Sequence, residues 1–240
     1  MDKLTIYFFV KTFENASYAS QFLSGLLYMN TLDYFVKLEA NDSTDRGDRH
    51  EGLNAWLQPK DIEIEISGFQ IPSADLAAPV SIRSNHQLSK NIFCLHASYV
   101  GGKARSKFHT NEEFENQLKI PEKNVSLGMQ SIVITNVEEF IFRVKKAAAL
   151  MNDSLVGRIV NYYDPDTSLD VIAEEDAPFN KQIRFEHQRE YRLVIDRENQ
   201  EMMAYQLNVG SLRDIAHEIS IKELNESIKT APIEPVKVSS

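Results

Sequence analysis

Apolar and polar positions alternate with two different periods along this 240-residue chain. Residues 4–10 form a short apolar run with aromatics, the pattern of a buried strand. Asn15 or Ser17 can cap a helix that carries Tyr18, Ala19, Phe22 and Leu23 on one face and stops at Gly25, after which residues 26–29 return to strand. Residues 61–66 alternate strictly, which predicts a half-buried strand with its carboxylates toward solvent. Residues 72–89 read as loop, 91–97 as strand, 101–110 as a mobile stretch and 111–118 as a short helix. A strand over 131–135 precedes the strongest helical pattern, 137–151, where Phe140, Val144 and Ala147 lie about a turn apart. Residues 156–163 read as a strand closed by Asp164-Pro165-Asp166. The run 191–195 is a strand with 202–209 as its expected hairpin partner, and 212–219 reads as a small helix.

Strands and helices are interspersed, and the two closely spaced strands near the end point to antiparallel pairing. The expectation is an α+β fold: one domain over 1–229, two packed and mainly antiparallel sheets, flanking helices, and a Pro/Val/Ser-rich tail over 230–240. Residues 4–10 and 191–195 are too apolar for an exposed edge and belong inside.

Charge narrows the partners. The formal net charge of −9 disfavours bulk nucleic-acid wrapping or a membrane-surface role, because affinity for phosphates comes from displacing counterions with basic side chains. One local basic stretch remains, Lys103-Ala104-Arg105-Ser106-Lys107, suited to holding a short single strand. No apolar run reaches the roughly 18 residues of a membrane span. The single cysteine, Cys94, excludes an internal disulfide and a cysteine-based zinc site, and a reducing cytoplasm fits best. The six histidines show no metal-ligand spacing, so no metal is expected.

Two clusters carry candidate chemistry. In Phe185-Glu186-His187-Gln188-Arg189-Glu190-Tyr191-Arg192, Gln188 and Glu190 sit two apart at the start of the expected strand and so share a face. An amide beside a carboxylate can hold ribose hydroxyls and stabilise positive charge developing on a sugar carbon; the same residues also suit a polar strand end facing water. The upstream cluster runs from Tyr28-Met29-Asn30 through Tyr34-Phe35 to Arg46-Gly47-Asp48-Arg49-His50-Glu51-Gly52. Arg46 or Arg49 can grip a phosphate bidentately, with Asp48 and Glu51 holding the arginines or bonding ribose hydroxyls. A solvated turn with local ion pairs is the competing description.

The order of these motifs, from the opening Tyr-Phe-Phe strand through Gly-Leu-Leu-Tyr-Met-Asn-Thr-Leu-Asp-Tyr-Phe and Arg-Gly-Asp-Arg-His-Glu-Gly to Phe179-Asn180-Lys181, Phe185 and Gln-x-Glu-Tyr-Arg, resembles a large family of bacterial and phage-associated domains. It is also similar to the ADP-ribosyltransferase superfamily, whose catalytic strand carries Glu-x-Glu or Gln-x-Glu. The resemblance spans roughly residues 4–196 and implies a mono-ADP-ribosyltransferase that uses NAD and no metal. In that role Glu190 stabilises the oxocarbenium-like ribose, Gln188 positions the nucleophile, and Arg46 or Arg49 holds the pyrophosphate. Tyr34 or Phe35 stacks on nicotinamide, and Asp48, Glu51 and Asn30 complete the NAD site. The chain departs from the superfamily in two places: it has no opening-strand Arg or His, a place Lys11 would have to fill, and no Ser-Thr-Ser strand, where Cys94 to Ser98 would stand. The acceptor would be nucleic acid, RNA or single-stranded DNA held by Lys103, Arg105 and Lys107, or a protein. The context would be a bacterial toxin or anti-phage effector, with an antitoxin or inhibitor as a further partner. An alternative from another class is an inactive binding module of the same fold that sequesters a nucleotide signal or blocks a partner protein; a buried salt bridge between Glu190 and Arg192 or Arg184 would argue for it.

Overall fold

A computed structural model describes residues 4–38, 49–101, 108, 110–128, 130–167, 170–197 and 202–230. Arg46, Asp48, Lys103, Arg105 and Lys107 lie outside the described residues, as does the expected tail from 231 onward.

The opening apolar run becomes β1 (Thr5–Phe13), followed by helix α1 (Ala16–Leu23). The Asn15 side chain accepts from the backbone N–H of Tyr18, closing the first turn, and Ala19, Phe22 and Leu23 are buried. Gly25, at φ 100°, turns the chain into β2 (Leu26–Thr31); a side chain there would strike the backbone of Gly210. Helix α2 (Leu32–Leu38) follows directly. Short ribbons come next: β3 (Ala55–Leu57) pairs with β6 (Val80–Ile82), and β4 (Ile64–Ile66) pairs with β5 (Phe69–Ile71). The alternating stretch 61–66 therefore supplies only a three-residue strand at its end, and 80–89 holds β6 and the five-residue helix α3 (Asn85–Ser89) instead of loop.

Strand β7 (Asn91–Val100) is the hub, followed by α4 (Asn111–Leu118), β8 (Gln130–Ile134) and α5 (Val137–Leu150), capped by the Asn136 side chain. The remaining elements are β9 (Ser154–Ile159), β10 (Asn161–Tyr163), β11 (Asn180–Gln182), β12 (Glu190–Asp196), β13 (Tyr205–Asn208), β14 (Ala216–Glu218) and α6 (Ile221–Ser227). Thr230, placed at the start of the tail, donates from its backbone and hydroxyl to Glu115 at 2.6 and 2.8 Å.

The fold is α+β with antiparallel pairing throughout its main sheet. In place of two separate packed sheets there is one eight-stranded sheet that forks at β7. One edge of β7 pairs with β12, from Asn91 opposite Ile195 to His96 opposite Glu190. The other edge pairs first with β2, at Asn91 and Ile92, and then with β1, from His96 to Val100. Residues 93–95 have no strand partner on that second edge, and there the sheet opens. Two further expectations are corrected. β13 pairs with β2 and not with β12, whose free edge is taken by β9; and 212–219 is not a helix but a turn into β14, which pairs with β8.

Both faces of the sheet are covered, which explains the apolar runs in β1 and β12. One face, with Phe9, Phe93, Leu95, Ile132, Ile134, Leu193 and Ile195, packs under α1 and α5 as the main core. The opposite face carries two smaller clusters, around Val10, Val133, Ile221 and Leu224 and around Leu32, Ile92, Phe179 and Val194. The polar side chains of Glu190 and Arg192 belong to this second face, since they alternate with Tyr191 and Leu193 along β12. No helix among the described residues is long and apolar enough to cross a membrane.

Candidate functional site

A cavity of about 680 Å³ opens at the fork, within the size range of small-molecule sites. Its lining draws on β1, β2, β7, β12 and both N-terminal helices. Lys11 lies one residue past the last β1 position paired with β7, and its ammonium donates to the Cys94 carbonyl at 2.9 Å. It also sits 4.6 Å from the centre of the Phe93 ring. Thus a side chain satisfies the carbonyl that the departing strand leaves behind. Alternation along β2 turns Leu26, Tyr28 and Asn30 to the cavity while Leu27, Met29 and Thr31 are buried. Tyr18 and Tyr34 join Tyr28 on the lining, all three exposed, and Phe35 packs edge-on against Tyr34.

The floor is charged. Arg192, fully buried, donates from Nε to Glu190 at 2.6 Å and from its two terminal nitrogens to Glu51 at 2.7 and 3.1 Å. It also donates to the Pro178 carbonyl. The Lys181 ammonium bonds Gln188 Oε1 at 2.9 Å and stands 3.4 Å from both Glu190 and Glu51. The four charges balance. Burial alone would push the Glu190 carboxyl up, but Arg192 and Lys181 outweigh it and hold the group well below the usual carboxylate range. The Glu190 backbone N–H donates to the Tyr162 hydroxyl at 2.9 Å.

Local structure explains how Glu51 arrives there. Gly52 has φ 66°, and a side chain on it would press on Leu32, so the chain turns tightly just after Glu51. Asn54 then holds the segment, accepting on its side chain from Ser84 N–H at 2.8 Å. His96 borders the same floor. Its Nδ1 lies 2.9 Å from the Gln188 carbonyl and 3.1 Å from the Asn124 side-chain nitrogen, and the buried Nε2 has no partner among the described residues. Burial, with Arg189 nearby, lowers its pKa to about 3, so the ring is neutral. Burial, with Glu190 beside it, pushes the Cys94 thiol up to about 12; it is not a thiolate nucleophile.

Gln188, Glu190, Glu51, Asn30, Tyr34, Phe35 and Lys11 all line this one cavity. Arg49 does not. It is exposed, donating from Nε to His50 at 3.0 Å, while its carbonyl accepts from Arg83. Glu51 is drawn inward by Arg192, and Arg49 stays outside. The shared strand face expected for Gln188 and Glu190 is also corrected. Gln188 ends a 3-10 turn (Ile183–Gln188), Arg189 is left-handed at φ 44°, and the strand begins at Glu190. The two side chains meet through Lys181 instead.

Lys181 is the floor residue to which the candidate motifs assigned no role, and Arg192 was expected there only as the salt-bridge partner of Glu190 in a binding module. For Arg192 a signal existed: it lies two residues after Glu190 on the same strand, so a period of 2 puts both on one face. Nothing local marks Lys181 as buried. No family model, curated protein or solved structure matches the chain.

Proposed function

We propose that the protein is a mono-ADP-ribosyltransferase that takes NAD into the cavity at the fork. The observation that carries this reading is the convergence of Gln188, Glu190 and Glu51, from segments about 140 residues apart in sequence, on the floor of one aromatic-lined cavity. The volume suits a nucleotide-sized ligand, Tyr28 and Tyr34 offer faces for planar rings, and Lys11 supplies positive charge beside the opening. With Arg49 outside, Lys11 is the described cation best placed for a pyrophosphate. Glu190 is ionised and also accepts from the Cys94 thiol; its Oε1 is taken by Arg192, while its Oε2 stands at a longer distance from Lys181. That oxygen is the one to accept a ribose hydroxyl. As the ribose–nicotinamide bond breaks, nicotinamide leaves with the bonding electrons, and the carboxylate stabilises the cationic sugar until an acceptor nucleophile attacks.

One observation favours a second reading, an inactive binding module. The buried salt bridge between Glu190 and Arg192 that argues for it is present at 2.6 Å, and together with Lys181 it neutralises Glu190, which reduces the field the carboxylate can exert on a developing cation. Incubating the full chain with NAD and measuring released nicotinamide separates the two. Turnover in the wild type that Glu190→Gln slows by about 10²–10³-fold supports the transferase. Saturable NAD binding with no nicotinamide released from any form supports the binding module.

A further inference from the structure

Three acceptor oxygens from two distant parts of the chain converge on one ammonium group. Lys181, on β11, meets Gln188 Oε1 at 2.9 Å, Glu190 Oε2 at 3.4 Å and Glu51 Oε1 at 3.4 Å. The Phe185 ring centre lies 4.5 Å from the same nitrogen, so an aromatic face closes the cradle. The lysine is 3 % exposed and its stem cannot swing without breaking all four contacts. β11 is itself fixed, because it pairs in parallel with β10, placing Lys181 opposite Tyr162, whose hydroxyl accepts from the Glu190 backbone. Burying an ammonium is costly unless it is paired and hydrogen-bonded on all sides, and an apolar residue would fill the space at lower cost.

We propose that Lys181 is a positioning residue for the transfer reaction, tying Gln188 and Glu190 to Glu51 and setting the orientation both present to the cavity. It takes the oxygen end of the Gln188 amide, so the amide cannot flip without losing its 2.9 Å bond. It draws Glu190 Oε2 away from Arg192, so that the two carboxylate oxygens have different partners. Burial works against the charged lysine, yet Glu190 and Glu51 keep its pKa above the ordinary lysine value, so the tie persists across the physiological range. The assignment rests on reading the cavity as an NAD site.

The test uses the full chain and the variants Lys181→Met, which keeps the stem and removes the charge, and Lys181→Arg, which restores it. Carboxylate ¹³C resonances of labelled glutamate follow Glu190 through a pH titration, and nicotinamide release gives kcat and KM. In Lys181→Met, Glu190 titrates at higher pH than in wild type, the acid limb of the rate profile moves up with it, and kcat falls about tenfold or more while KM changes by less than about threefold. Lys181→Arg returns the titration toward wild type. A Lys181→Met protein with wild-type titration and pH–rate profile overturns the proposal while leaving the transferase reading intact. Shifted titration in Lys181→Met with no turnover in wild type overturns the transferase reading and with it the role in transfer, leaving only the electrostatic tie between Lys181 and Glu190. Should Lys181→Met fail to fold, wild type labelled with ¹⁵N-lysine decides: NAD must move the Lys181 ammonium resonance, and movement of Tyr34 signals without it overturns the assignment.

Discussion

Two arginines in this molecule each bridge two carboxylates, and their surroundings could hardly differ more. Arg192 joins Glu190 and Glu51 with no exposed surface at all. Arg143, on the outer side of α5, joins Glu139 at 2.7 Å and Asp214 at 2.8 Å, and adds a bond to the Ser211 carbonyl at 2.6 Å. The fork geometry is nearly the same in both. Water is the difference. At Arg143 water solvates every partner, so breaking the bridge exchanges protein contacts for hydration. At Arg192 a lost partner leaves a charge in a low-dielectric floor with nothing to replace it. The surface bridge is explained by holding α5 to the 211–214 turn. The buried one adjoins the cavity at the fork, where apolar residues could fill its place at lower cost, and the proposed function gives a reason for keeping it.

The largest effect expected from this contrast is on stability. Arg192→Met strands Glu51 and Glu190 with Lys181 alone, and should cost about 3–5 kcal/mol in urea unfolding. A loss under about 1 kcal/mol would mean that the floor is hydrated and the contrast with Arg143 is unreal. Next comes Glu190→Gln set against Glu51→Gln. Both remove one carboxylate from Arg192, so both should lower the unfolding midpoint. Only Glu190→Gln should also raise the barrier to nicotinamide release, by about 2.7–4 kcal/mol. Equal losses of rate in the two variants would make the tetrad a scaffold and Glu190 one of its struts.

Acid should then separate the regions without mutation. The His96 pKa falls from its ordinary 6.5 to about 3 on folding, so between those values the unfolded chain holds more protons than the folded one. Stability contributed by neutral His96 is full above pH 6.5 and is lost as pH drops toward 3, at a slope of at most about 1.4 kcal/mol per pH unit. Glu190 works in the same direction below its ordinary 4.5, since its folded pKa is depressed. His96→Asn offers a donor to the Gln188 carbonyl and removes the titration. Urea midpoints measured from pH 7 to 4 should flatten in that variant, and an unchanged slope would reject the assignment. The smallest effect is Arg143→Met, which should leave the melting temperature within about 2 °C. A larger drop would show that the exposed bridge, too, is a structural anchor.

How much of this was legible beforehand follows from the range of each interaction. The cap at Asn15, the helix over 137–150, the inner strands around Phe9 and Leu193, and the α+β class were all readable, because apolar periodicity and capping act within a few residues. So was the inventory of unusual polar residues, Glu51, Gln188 and Glu190 among them. Partner choice was not. Which strand β13 would join, that β7 would hold β1 and β2 along a single edge, and that 212–219 would enter the sheet depend on contacts between segments up to more than a hundred residues apart. The same holds at the site. The sequence by itself determined that Glu190 and Arg192 share a strand face, and that Arg49 and Glu51 stand in one polar turn. Only the tertiary structure decided that Glu51 turns inward while Arg49 stays in water, and that Lys181 closes the floor, because pairing a buried charge requires a partner brought from elsewhere in the chain and no local rule names it.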